Sequence, residues 1–134
     1  MLLLFGPSGV SRIADPDLRQ LVTQRFVQIC AGEPYDVELH GYMIVMEPGD
    51  SVAALEEECS CPILHNLFDE TRFGEPGYAP SFEHLEDRGC CYEMVFILSD
   101  DGSGVSIFIP KTAGIDPELL SLCAAYAVPA IEHS

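Results

Sequence analysis

The chain predicts a single α+β domain over residues 1–134, with a mostly antiparallel sheet, a central β-hairpin at about 92–110, and three to four helices packed against it. Three observations lead there. Two apolar runs flank a turn-rich pentapeptide at 100–104, two separate segments open with an Asp-Pro-acid helix start, and residues 37–46 are strand-like.

The hairpin lies in "CCYEMVFILSDDGSGVSIFIPK". Tyr92, Met94, Phe96 and Leu98 share one face, and Val95 and Ile97 the other. On the returning run Val105, Ile107 and Ile109 point one way and Phe108 the other, until Pro110 closes the ladder. Both faces are apolar, which predicts a central position with cover on both sides. Residues 37–46 supply the next strand: Val37 and Leu39 alternate with Glu38 and His40, and 42–46 is apolar on both faces.

The first helix, over 16–31, has Asp15 as cap, Pro16 at its first position, Asp17 at its positive end and Gly32 as a stop. Leu18, Leu21, Val22, Phe26, Ile29 and Cys30 form its apolar face, with Gln20, Gln24 and Val27 behind. Arg25 falls within that face, and the expectation is a guanidinium that snorkels from its edge to water, with a buried ion pair or an anion-binding arginine as the alternative. The last helix, over 117–127, opens with Asp116-Pro117-Glu118 and then carries no charge. Leu119, Leu120, Leu122, Cys123 and Tyr126 form a large apolar face and Ser121, Ala124 and Ala125 a small-residue back, which predicts a helix enclosed by the fold or packed on another chain as a homodimer.

Between these lie a helix at 51–60 with Asp50 or Ser51 as cap, a short strand at 61–66, a long loop at 67–80 punctuated by Phe68, Arg72, Phe73 and Tyr78, and a short helix at 81–89 with Ser81 as cap and Gly89 as stop.

Charge narrows the function. The 22 acidic residues stand against six basic ones, a formal net charge of −16. Such a surface repels nucleic acid and anionic bilayers, so neither is an expected direct partner. The apolar start of the chain is too short for a membrane span or signal-peptide core, so the expectation is a soluble cytoplasmic protein with its six cysteines reduced. Acidity serves solubility in general. It also suits a non-enzymatic acidic protein-binding module: an inhibitor, an immunity-type partner, or a regulator that competes with nucleic acid for a basic protein. The candidate partner-binding acids are Glu56, Glu57 and Glu58, with Glu83, Glu86 and Asp87 as a second cluster.

The rival is a small enzyme or zinc-binding protein using Cys59, Cys61, His65, His84, Cys90 and Cys91. These are the ligand types zinc prefers, but Cys-x-Cys and adjacent Cys-Cys depart from the usual Cys-x2-Cys half-site. No metal, cofactor or catalytic residue is therefore assigned. Cys30 and Cys123, on apolar helix faces, read as small buried hydrophobes. Around Gly102, Ile97 and Ser99 would occupy the first and third positions of a calcium loop, which excludes that reading.

The opening "LLLFGPSGV" resembles the phosphate-binding loop of guanylate-kinase-like nucleotide kinases, in which a buried strand feeds a Gly-rich turn. The resemblance stops at Val10. Ser11 replaces the next glycine, Arg12 the phosphate-reaching lysine and Ile13 the magnesium-holding hydroxyl, so nucleotide binding is not expected.

Overall fold

The computed structural model describes residues 1–51, 54, 84–97, 104–112 and 114–129. The expected helix at 51–60, strand at 61–66 and loop at 67–80 lie almost wholly outside these residues. The elements in chain order are β1 (Leu2–Leu4), a 3-10 helix (Pro7–Arg12), α1 (Pro16–Cys30), α2 (Val37–His40), β2 (Tyr42–Val45), β3 (His84–Asp87), β4 (Cys91–Ile97), β5 (Gly104–Pro110), α3 (Pro117–Tyr126) and β6 (Val128–Pro129). The strands form one mixed sheet in the order β1-β2-β5-β4-β3-β6. Pairs β1–β2, β5–β4 and β4–β3 are antiparallel, while β2–β5 and β3–β6 are parallel. This is the α+β domain that the sequence predicts.

The β4–β5 hairpin pairs Tyr92 with Ile109, Met94 with Ile107 and Phe96 with Val105, so its faces divide as the alternation requires. It occupies the middle of the sheet, and both faces are covered. On one side Leu119 and Cys123 of α3 pack with Ile44, Met46, Met94, Ile107 and Ile109. On the other, Leu18, Val22 and Phe26 of α1 pack with Met43, Val45, Cys91 and Phe108. The edges are short, three residues in β1 and two in β6, which limits pairing with another chain.

Helix α1 starts as its sequence requires. The Asp15 carboxylate accepts hydrogen bonds from the backbone N–H groups of Asp17 at 2.9 Å and Leu18 at 3.4 Å. At the other end Ala31 and then Gly32 adopt positive φ, and Ala31 N–H reaches Val27 C=O. Val27 itself faces away from the core.

Three expectations need correction. Residues 37–40 are a helical turn, not the first half of a strand. Asp36 caps the turn through Glu38 N–H, and the N–H of Gly41 bonds to Val37 C=O. The parallel ladder with β5 begins only at Tyr42 opposite Val105, and β5 itself begins at Gly104. Among the described residues no strand pairs with 37–40, and their backbone N–H groups are satisfied locally. Gly41 is a required glycine. Its φ is 80°, and a Cβ there would overlap the Gly104 backbone.

The second correction concerns 81–89, read as a helix from Ser81, which lies outside the described residues, to Gly89. Residues His84–Asp87 are β3, paired antiparallel to β4 with Leu85 opposite Met94. Gly89, at φ 88°, serves the hairpin turn rather than a helix end. Arg88 N–H to Cys91 C=O at 2.8 Å closes that turn, and the Asp87 carboxylate accepts from Gly89 N–H. The edge of β4 offers a full ladder of hydrogen bonds, which outweighs local helix preference. The third concerns Arg25, whose head group turns inward to Glu93 rather than out to water.

After β1 the chain winds into its 3-10 helix instead of opening a phosphate cradle. Gly9 N–H bonds to Gly6 C=O, and Ile13 N–H to Val10 C=O. A Cβ at Gly9 would sit 2.9 Å from Leu4 Cδ2, so the Leu4 side chain would have to shift to admit one. Among the described residues no helix is long and apolar enough to cross a membrane.

Candidate functional site

The α1 side of the sheet holds a charge cluster within its apolar core. Glu93, in the middle of β4, is 1% exposed. Phe108 flanks it on β5, and Glu86 lies directly opposite on β3. Two carboxylates facing across a ladder repel, so they require a cation between them. Arg88, just past the end of β3, supplies it. Its Nη2 lies 2.8 Å from both Glu86 Oε2 and Glu93 Oε1, and its Nε donates to Glu93 Oε1 at 3.0 Å.

Arg25 approaches from α1, with Nε 2.9 Å from Glu93 Oε2. The N–H is not aimed at that oxygen, so this is a charge contact without an aligned hydrogen bond. The expectation that Arg25 snorkels to water is thus overturned: its head group turns inward to a buried carboxylate. Burying the Glu93 charge without compensation is prohibitively costly, which draws in both guanidiniums. Because Glu93 is enclosed and engaged on both oxygens, it is not presented to a substrate. The cluster joins α1 to β3 and β4.

Sequence reasoning missed Glu93, although a signal was present. Glu93 shares the face of Val95 in a hairpin apolar on both sides, and Arg25 sits within an apolar helical stripe. Two opposite charges at core-facing positions are a candidate buried pair.

Of the predicted partner-binding acids, Glu56, Glu57, Glu58 and Glu83 lie outside the described residues. Glu86 and Asp87 are neighbours on a strand, so they point to opposite faces of the sheet. Glu86 joins the Arg88 cluster. Asp87 lies on the α3 side, where its Oδ1 is 2.5 Å from Lys111 Nζ, and Lys111 also stands 4.6 Å from the centre of the Tyr92 ring. That ammonium, followed by the Gly89 N–H, holds the Asp87 carboxyl below its ordinary range, and Asp87 in turn raises Lys111.

Of the predicted cysteine and histidine set, Cys59, Cys61 and His65 lie outside the described residues, and of His84 only its backbone position on β3 is described. Cys91 is buried against the α1-side core and Cys90 is half-buried. Burial, and then the neighbouring Cys90, push the Cys91 thiol far up, which opposes the thiolate that metal binding or nucleophilic attack requires. Cys30 and Cys123 are buried among apolar residues as their helix positions predict. Among the described residues no group of three or more histidine, cysteine and acidic side chains is arranged to hold a metal ion.

No protein-family model, curated protein or solved structure shows significant similarity to the chain.

Arg25 and Arg88 are engaged by Glu93 and Glu86, and Lys111 by Asp87. Arg19 donates to the C=O groups of Ile13 at 2.9 Å and Ala14 at 3.2 Å. Of the five described basic side chains, four are thereby held against the chain's own groups, while Arg12, the last residue of the 3-10 helix, is exposed.

Proposed function

We propose that this protein is a non-enzymatic acidic protein-binding module acting on a basic partner, as an inhibitor, an immunity-type partner or a regulator that competes with nucleic acid. The supporting observation is the formal charge of −16 in a chain whose Arg25, Arg88 and Lys111 are already paired with its own carboxylates. An excess of acid at the surface accelerates encounter with a basic surface and discriminates against acidic ones. In this reading the protein works in the cytoplasm and contacts neither nucleic acid nor membrane directly. Affinity capture from its native cytoplasm at low salt tests it. A basic protein that is retained, and released as salt shortens the screening length to below about 8 Å, is the expected result; recovery of only acidic or salt-insensitive partners refutes it.

The same reading includes a homodimer formed through α3. Ser121, Ala124 and Ala125 are exposed and uncharged, so two copies of this helix could approach closely with the acids directed away. Sedimentation should show a dimer that Ala124→Glu dissociates without unfolding. A monomer at high micromolar concentration removes the dimer and leaves the acidic module untouched.

A further inference from the structure

The residues at which strand alternation fails leave an unusual surface. Val37 and Leu39, placed on a helical turn instead of in the sheet, are 41% and 44% exposed. Phe5, at 59%, stacks on Tyr42 with ring centroids 5.3 Å apart, and Val27 on the outer side of α1 is 67% exposed. These are four of the five large apolar side chains exposed among the described residues. Tyr35 shares a cleft with Val27 and stands two residues before Val37. Its ring packs edge-on against Phe26 and tilts towards His40 of α2, its hydroxyl donates to Gly41 C=O, and a Cβ at Gly6 would lie 3.7 Å from it.

Between the end of α1 and this tyrosine is a cleft of about 300 Å³, whose walls include Pro7, Phe26, Val27, Cys30 and Tyr35, with Glu33 at its margin. Apolar cavities of about half that size accept a benzene ring, so this one has room for a bulky apolar side chain. Its surroundings are acidic. Glu33, Asp36 and Glu38 are all exposed, and residues 31–41 contain no lysine or arginine.

We infer that this end of the molecule, around Tyr35, docks a basic amphipathic helix of a partner protein, whose apolar anchor enters the cleft while its lysines or arginines face Glu33, Asp36 and Glu38. The inference rests on the acidic-module reading and gives it a location. Apolar anchors in a cleft carry most of the energy of such contacts, and a helix laid in a groove presents them at helical spacing. A second copy of this chain fits poorly here, since it would bring two acidic rims together. A nucleic acid meets the same repulsion.

The chain contains no tryptophan, so a peptide carrying one reports its own burial by fluorescence. The probes are a short lysine–leucine peptide with a single tryptophan on its apolar helical face, and a scrambled peptide of identical composition. The amphipathic peptide should bind with blue-shifted tryptophan emission, at least about tenfold more tightly than the scrambled one. Val27→Arg and Leu39→Arg, both at exposed positions and checked by thermal midpoint for an intact fold, should each weaken it by about tenfold or more. Thr112→Arg, exposed beyond the Pro110 end of β5 and away from the Gly104 end near Tyr35, should leave it unchanged. Equal binding of both peptides, or indifference to Val27→Arg, overturns the docking face while leaving salt-sensitive capture of a basic protein standing. Binding of neither peptide at low salt removes both.

Discussion

The two faces of the sheet carry out the same task with different chemistry. Towards α3 the core is Ile44, Met46, Met94, Ile107, Ile109, Leu119 and Cys123, with no charge among its described buried residues. Towards α1 the core contains Met43, Val45, Phe108 and Phe26, and beside them the buried Glu93 with Arg25 and Arg88. Apolar burial is non-directional, so the α3 face gains cohesion without orientation. An ion cluster adds little net stability over apolar side chains of similar volume, but it penalises any packing that leaves Glu93 unpaired. The difference identifies the α1 face as the one whose helix position is chemically specified.

The largest expected effect attacks what both faces share. Gly41→Ala places a Cβ against the Gly104 backbone at a φ that L-residues avoid, at the start of the β2–β5 ladder. A loss of at least about 3 kcal/mol in denaturant unfolding is expected. Next, the faces can be compared directly. Glu93→Ala leaves two guanidiniums facing a core and should cost about 3–5 kcal/mol, whereas Ile107→Ala on the other face loses burial and creates a cavity at about 2–5 kcal/mol. The distinguishing experiment is the combined replacement of Arg25, Arg88 and Glu93 by Met, Met and Leu, which should recover most of the Glu93→Ala loss. No recovery in urea midpoints would show that the ion cluster is itself a main source of stability.

A smaller effect separates the faces by pH. Burial pushes the Cys123 thiol on the α3 side up to about 12, and the Cys91 thiol on the α1 side is raised as well. Unfolded thiols ionise near about 8.5. The native advantage is therefore complete below that pH and declines as pH rises from there towards the folded value, because only the unfolded chain releases these protons. Thermal midpoints should fall above about pH 8.5, less steeply in Cys123→Ala, and a thiol reagent at pH 8 should leave both cysteines unmodified until the chain unfolds.

The smallest effect is at the surface. Asp87 is held below its ordinary pKa by Lys111, so its contribution is present above its unfolded value of about 3.9 and is lost as pH falls through the lower folded value. Asp87→Asn should cost no more than about 1 kcal/mol at neutral pH, and the difference from the unmodified protein should vanish in strong acid.

The hairpin was legible because its information is local: each apolar residue reports its own face, and Pro110 and Gly104 mark where the strands end. Helices α1 and α3 were legible for the same reason, from Asp15-Pro16 and Asp116-Pro117. Residues 37–40 and 84–87 were not. Val37 and Leu39 alternate like a strand, but among the described residues no neighbouring strand reaches that level; His84–Asp87 follows a helix-like start, but β4 has an open edge beside it. Glu86 and Asp87, read together as one acidic cluster, separate because a strand sends adjacent side chains to opposite faces.

The amino-acid sequence by itself determined the class of fold, the two capped helices, the two apolar faces of the hairpin and the excess of negative charge. These follow from periodicity, capping and composition, each readable within a short window. Tertiary structure alone decided the mixed strand order, the meeting of Arg25 with Glu93 across 68 positions of sequence, and the exposed apolar end around Tyr35. The physical reason is that hydrogen-bonding edges and desolvated charges take their partners from whatever is close in space, and that proximity exists only once the chain has folded.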